Sequence, residues 1–146
     1  MGMSMSTWID LLGKSQDDPH VQAALAAAGV KKVPKPSGGS AIFELKGHHL
    51  WLVMTKAFHS KRPMTLTSVE AVLSHRKKPG GYLGPLPLGL AANMSQDAIR
   101  RVLGTPLTIV DDVPADIWLR DGIEVNVTYT QDLILQTLAL TLPADD

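Results

Sequence analysis

Apolar residues along this chain recur first at helical spacing and later in the two-residue alternation of strands. In "DDPHVQAALAAAGV", Val21, Ala24, Leu25 and Ala28 fall at i, i+3, i+4 and i+7, which predicts an amphipathic helix. Asp18 at the cap, Pro19 at the first helical position and Gly29 just past the end match its boundaries, because proline has no amide to leave unpaired and glycine accepts positive φ. A shorter helix is expected through Trp8, Ile9, Leu11 and Leu12, capped by Ser6 or Thr7 and stopped by Gly13. A third begins after Ser95, with Asp97 in its first turn and Ala98, Ile99, Val102 and Leu103 as its apolar stripe. Arg100 and Arg101 are placed to complement its carbonyl end, and Gly104 and Pro106 stop it. At about eight residues it persists only when packed against something.

Strand signals fall between and after these helices. "SAIFELKGHHLWLVM" holds two apolar runs around Lys46-Gly47 and predicts a β-hairpin, with Phe43, Leu45, Leu50, Trp51 and Leu52 as core candidates. A further strand is expected within "MTLTSVEAVLS", Met64 to Ser74, where Thr65, Thr67, Val69 and Val72 favour extended backbone. In "DIWLRDGIEVNVTYTQDLILQTLALTLP", Asp121-Gly122 marks a tight hairpin. Ile123, Val125, Val127 and Tyr129 alternate with polar neighbours, and a third, more apolar strand completes a meander. The fold class is therefore α+β: short helices packed on an antiparallel sheet, ending in a helix-plus-meander unit. One domain over 1–146 is expected, with helices and a hairpin in 1–78, a linking loop in 79–94 and the helix and meander in 95–143. "KKVPKPSGG" is a connector, and "YLGPLPLGLAANMSQDAIRRVLGTP" is a rigid joint that docks the third helix onto the meander. "LLGKS" and "VLGTP" both end short helices ahead of sheet segments, a likeness too loose to make the halves a repeat.

Composition narrows the chemistry. The 146 residues suffice for one sizeable core, and the absence of cysteine excludes disulfides, thiolate catalysis and cysteine-held zinc. Net charge is zero, with 14 basic and 14 acidic residues, which argues against a nucleic-acid partner. The distribution is uneven: 11 basic and 5 acidic residues run through Lys78, then 3 basic and 9 acidic from Pro79. Such asymmetry suits a protein steered to a charged partner. With no apolar stretch near the roughly 20 residues that span a bilayer, and no basic region followed by a long apolar core at the start, a cytoplasmic protein without a membrane partner is expected. Gly2 and Ser6 fit the short myristoylation pattern, which carries little weight alone.

Three constellations are candidate sites. Adjacent His48 and His49 point to opposite faces if they lie in a strand, and no metal-ligand spacing accompanies them, so no metal and no cofactor are expected. Lys56, Lys61, Arg62, Arg76, Lys77 and Lys78, near Phe58, His59 and His75, offer a basic site for phosphate or nucleic acid. Asp111, Asp112, Asp116, Asp121 and Glu124 offer an acidic patch that can face a basic partner. No catalytic residue is assigned, because no base, oxyanion motif, phosphate loop or dinucleotide fingerprint accompanies these carboxylates.

"LLGKSQDDPHVQAAL", "YLGPLPLGLAANMSQDAIRRVLGTP" and "DIWLRDGIEVNVTY" together resemble immunity proteins of bacterial polymorphic-toxin and type VI secretion systems. The last two blocks are also similar to the helix-plus-meander module of the outer-membrane-assembly lipoproteins that include BamE. That family carries a signal peptide and a lipid-bearing cysteine; this sequence has no cysteine, and no signal peptide is expected at its start. The resemblance implies a non-enzymatic antitoxin that binds one cognate protein toxin and blocks its active site. The acidic residues Asp111 to Glu124 would meet a basic toxin cleft, and a nucleic-acid- or phosphate-binding module using the basic first half is the alternative.

Overall fold

The structure, a computed structural model, describes residues 4–57, 61–73, 81–110 and 114–143. Among the described residues three short helices, α1 (Met5–Ile9), α2 (Pro19–Ala27) and α3 (Gln96–Leu103), accompany seven strands. These are β1 (Ser40–Leu45), β2 (Leu50–Thr55), β3 (Thr65–Val72), β4 (Thr108–Val110), β5 (Ala115–Arg120), β6 (Ile123–Tyr129) and β7 (Leu135–Thr141). They form one antiparallel sheet in the order β1-β2-β3-β7-β6-β5-β4, so the chain is α+β as its patterning predicts. No described helix is long and apolar enough to cross a membrane.

The helix ends follow from local chemistry. Asp18 accepts the His20 amide at 2.7 Å ahead of Pro19, and that bond holds its carboxyl below the usual range. Ser95 accepts the Ala98 amide, and Gly29 and Gly104 leave their helices at φ 84° and 87°. The first helix differs from expectation. It starts at Met5 after Ser4, and no side chain caps it. Its first amide is instead held by a distant phenol: the Met5 amide donates to Tyr82 Oη at 2.8 Å.

The two halves are built alike. From α2 the first half runs one helix and three strands, and the second runs α3, the short β4 and then three strands; the last strands, β3 and β7, pair at the centre. In each half the segment entering the helix bridges the start of the third strand, Ser15 to Thr65 and Ser95 to Ile134. Each third strand carries a bulge after its first buried leucine, at Thr67 beside Ser68 and at Gln136 beside Thr137. Leu66, Val69 and Ala71 therefore correspond to Leu135, Leu138 and Leu140, all buried. Glu70 corresponds to Ala139 and is paired with it, so a local two-fold axis passes between these residues. The halves are a structural repeat, contrary to the sequence expectation. "VLGTP" finds its counterpart in "AAAGV" at the end of α2 and not in "LLGKS", which lies between α1 and α2.

One face of the sheet packs beneath the helices. Phe43, Leu45, Leu50, Leu52, Met54, Val125, Val127 and Trp118 meet Met5, Trp8, Val21, Leu25, Ile99 and Leu103 in one core. Alternation then fixes the opposite face, which no described helix covers. Trp51, expected in the core, lies on that face because Leu50 and Leu52 on either side of it are fully buried. Strand β4 escaped the sequence reading: three exposed residues beside a predicted loop carry no alternation to detect.

The joint before α3 is held by Tyr82. Its amide donates to Val72 O, its hydroxyl donates to Pro85 O at 3.0 Å, and the same oxygen receives the Met5 amide. This segment thus ties the end of β3 and the start of α1 together, beyond the docking of α3 expected of it.

Candidate functional site

The open face reads as rows across paired strands. One row runs Glu44, Trp51, Glu70, Ala139, Asn126, Ile117 and Thr108, each directly opposite the next. A second runs Ile42, Val53, Ser68, Thr141, Glu124 and Leu119. Ile42 is 64% exposed, Leu119 56% and Trp51 36%, so apolar side chains stand in solvent among threonines and carboxylates. Ser68 and Thr141 share a 2.8 Å hydrogen bond at the centre. Beside them a trough of 1060 Å³ is lined by Val53, Thr55, Lys56, Thr67, Ser68 and Glu124 among others.

Every charged strand residue on this face is acidic. The strands carry Glu44, Glu70, Asp116, Arg120 and Glu124. Asp116 and Arg120 face the helix side, leaving three carboxylates and no cation on the open side of the strands. Partial burial raises the Glu70 carboxyl above its usual range. Its folded value therefore exceeds the unfolded one, so its contribution to stability is present below about pH 4.5 and lost as pH rises through the folded value. Glu70→Gln is expected to raise stability at pH 7 by about 0.5 kcal/mol or less, since the group keeps much of its water. The gain should vanish in urea titrations below about pH 4.5; a gain equal at both pH values would overturn this account.

The acidic set does not gather in one place. Asp121 is exposed at the apex of the β5–β6 hairpin with φ 51°, and Gly122 follows at φ 78°. Glu124 lies half-buried on the open face and accepts from Asn126 Nδ2. Asp116 is fully buried beneath α3. It accepts two bonds from Arg100, at 2.9 and 2.7 Å, and one from Tyr129 Oη at 2.8 Å. It is therefore withdrawn from the partner-facing set expected of it. Asp111 and Asp112 lie outside the described residues.

This buried cluster replaces apolar core. By register, Asp116 and Tyr129 occupy the places that Phe43 and Met54 hold in the first half. The bonds to Asp116 raise the Arg100 guanidinium above its usual range, and burial, then the same carboxylate, push the Tyr129 hydroxyl well up. Arg100 thus serves Asp116 and not the end of α3. The α3 carbonyls of Leu103 and Gly104 are met by Arg120 Nη2 and Trp118 Nε1.

Of the basic set, Lys56 and Arg62 share a groove of 240 Å³ with Lys35, while Lys61 is exposed nearby. Arg76, Lys77 and Lys78, with Phe58, His59 and His75, lie outside the described residues. Lys56 also lines the open-face trough with Glu124, so one member of each candidate set reaches the same trough. His48 and His49 lie in the β1–β2 turn and not in a strand, half-buried beside Ser4 and Tyr82 in a groove of 410 Å³. Among the described residues no group of three or more histidines and carboxylates is arranged to hold a metal ion. The open face itself was missed at the sequence level. Its signal was the position of Trp51, alternating out of phase with the buried leucines on either side.

No protein-family model matches the sequence, and no curated protein matches it. Among solved structures, the fold is similar to a DUF4309 family protein, YjgB, from Bacillus subtilis, with a TM-score of 0.50 and 10% identity over 90% of this chain and 81% of that one. It is also similar to a cysteine-rich secretory protein, SAV1118, from Staphylococcus aureus, with a TM-score of 0.51 and 13% identity over 96% of this chain. This chain spans 45% of that protein's length. At such identities the likeness concerns the fold alone.

Proposed function

We propose that this chain is a non-catalytic binding protein of the immunity type, which holds a cognate secreted bacterial toxin on the open face of its sheet and occludes the toxin's active site. The uncovered face supports this reading: apolar Ile42, Trp51 and Leu119 stand in solvent on a sheet whose other side packs beneath the helices. A rigid, preformed surface loses little entropy on association. Glu44, Glu70 and Glu124 give it the sign that suits a basic cleft. Asp121 at the hairpin apex can extend the same contact, whereas Asp116 cannot.

The test is coexpression with the product of the neighbouring open reading frame. Ile42→Lys combined with Leu119→Lys should weaken capture about 100-fold or more, as expected when exposed apolar contacts at both ends of the face become charges. Gln22→Lys with Ala26→Lys, on the exposed side of α2, should leave capture and protection of cells intact. Undiminished protection by the first pair sinks the assignment.

A second reading rests on the groove shared by Lys35, Lys56 and Arg62, which suits a phosphate-bearing ligand. Retention on heparin at physiological salt would favour it, and passage straight through would count against it.

A further inference from the structure

We infer that the row Glu44, Trp51, Glu70 is the docking point for an arginine side chain presented by a protein partner. The inference deepens the binding reading above and rests on it. Trp51 stands between the two glutamates, directly opposite Glu44 on β1 and Glu70 on β3. Directly paired strand residues hold their Cβ atoms about 4.5–5.5 Å apart, so both carboxylates flank the indole. A cation above the ring is attracted by its π face, and a planar guanidinium can stack there while donating hydrogen bonds to a carboxylate on either side.

The fold does not require these residue types. In the second half the register puts Asn126 where Trp51 stands and Ile117 where Glu44 stands, and the matching strands close the same sheet. Across the axis, Glu70 faces Ala139. One end of an otherwise repeated row thus carries an aromatic and two charges, and the other carries none. Neither glutamate has an ion-pair or hydrogen-bond partner among the described residues. Lysine and arginine are missing from the open side of every strand, so no described strand residue supplies the counter-charge. A partner's cation supplies it. Burial against that partner also brings the two carboxylates their hydrogen-bond donors, which a purely apolar partner would withhold.

Tryptophan emission reads the site directly. Trp8 is fully buried and Trp118 is 3% exposed, leaving Trp51 as the accessible indole of three. At matched ionic strength and relative to a free, uncharged tryptophan amide, caesium quenching of that emission should be enhanced and iodide quenching suppressed, and Glu44→Gln with Glu70→Gln should erase that bias. A capped hexa-arginine peptide should shift the emission saturably at physiological salt, with hexalysine weaker and hexaglutamate silent. The double glutamine variant should bind hexa-arginine about tenfold more weakly, and Trp51→Leu, which keeps an apolar strand residue, should lose a similar factor by calorimetry. A caesium-to-iodide quenching ratio no higher than that of the free amide, or hexa-arginine binding unchanged in both variants, overturns the inference. The neighbouring product separates the two claims. If wild-type and double-glutamine proteins capture it equally, the arginine site falls and the binding reading stands; if hexa-arginine binds through the row but the neighbour is never captured, the reverse holds.

Discussion

Replacing Arg100 with methionine is expected to lower the unfolding free energy by about 3–5 kcal/mol, the cost of stripping the partner from a buried charge. Asp116 has no exposure, and of its three hydrogen bonds two come from Arg100. Methionine keeps the length and packing of the arginine stem, so the loss isolates the guanidinium. In a chain of this size the thermal midpoint should fall on the order of 10 °C. The companion variant carries Arg100→Met, Asp116→Leu and Tyr129→Phe together. It removes every partner at once and leaves nothing unsatisfied, so most of the loss should return. The first half already shows apolar residues filling the corresponding places, Phe43 and Met54. Paired urea and thermal unfolding of the single and triple variants decide the matter: a triple variant weaker than the single one would mean that the cluster does more than satisfy itself.

The joint carries the second large effect. A Cβ at Gly81 would sit 2.5 Å from Leu73 O and 2.8 Å from Val72 O, both backbone atoms that end β3. No side-chain rotation relieves that contact. Gly81→Ala must therefore push the strand end away, and Val72 O is the acceptor of the Tyr82 amide. The expected cost is about 3 kcal/mol, at the upper end for overpacking because a hydrogen bond is strained as well. Fraying should appear in hydrogen exchange at Tyr82 and at the Met5 amide, which the Tyr82 hydroxyl holds. Gly38→Ala is the control: it lies at positive φ with nothing near, so its cost comes from backbone conformation alone and leaves those two amides protected. Normal stability of Gly81→Ala would show that the strand end yields freely.

Much of the fold was legible because its signals are local. Asp18, Pro19 and Gly29 bound α2, Ser95 and Gly104 bound α3, and Asp121-Gly122 turns the last hairpin, each through chemistry within a few residues. The site was less legible. Asp111 to Glu124 form one acidic run in sequence, yet Asp116 and Glu124 lie on opposite sides of the sheet. Trp51 was placed inward by its hydrophobicity, whereas strand phase places it outward. Glu44 and Glu70 carry no signal in sequence, being single charges in separate strands.

The sequence by itself determined the ends of α2 and α3, the turn of the last hairpin, the α+β class and the absence of cysteine chemistry, since caps, turns and alternation depend on neighbours along the chain. Tertiary structure alone decided that the halves repeat about an axis between Glu70 and Ala139, that Asp116 is buried against Arg100 and Tyr129, and that Glu44, Trp51 and Glu70 stand side by side. Each of these depends on the register between strands distant in sequence. Register is set when a whole sheet face is buried at once, so no local stretch of residues carries it.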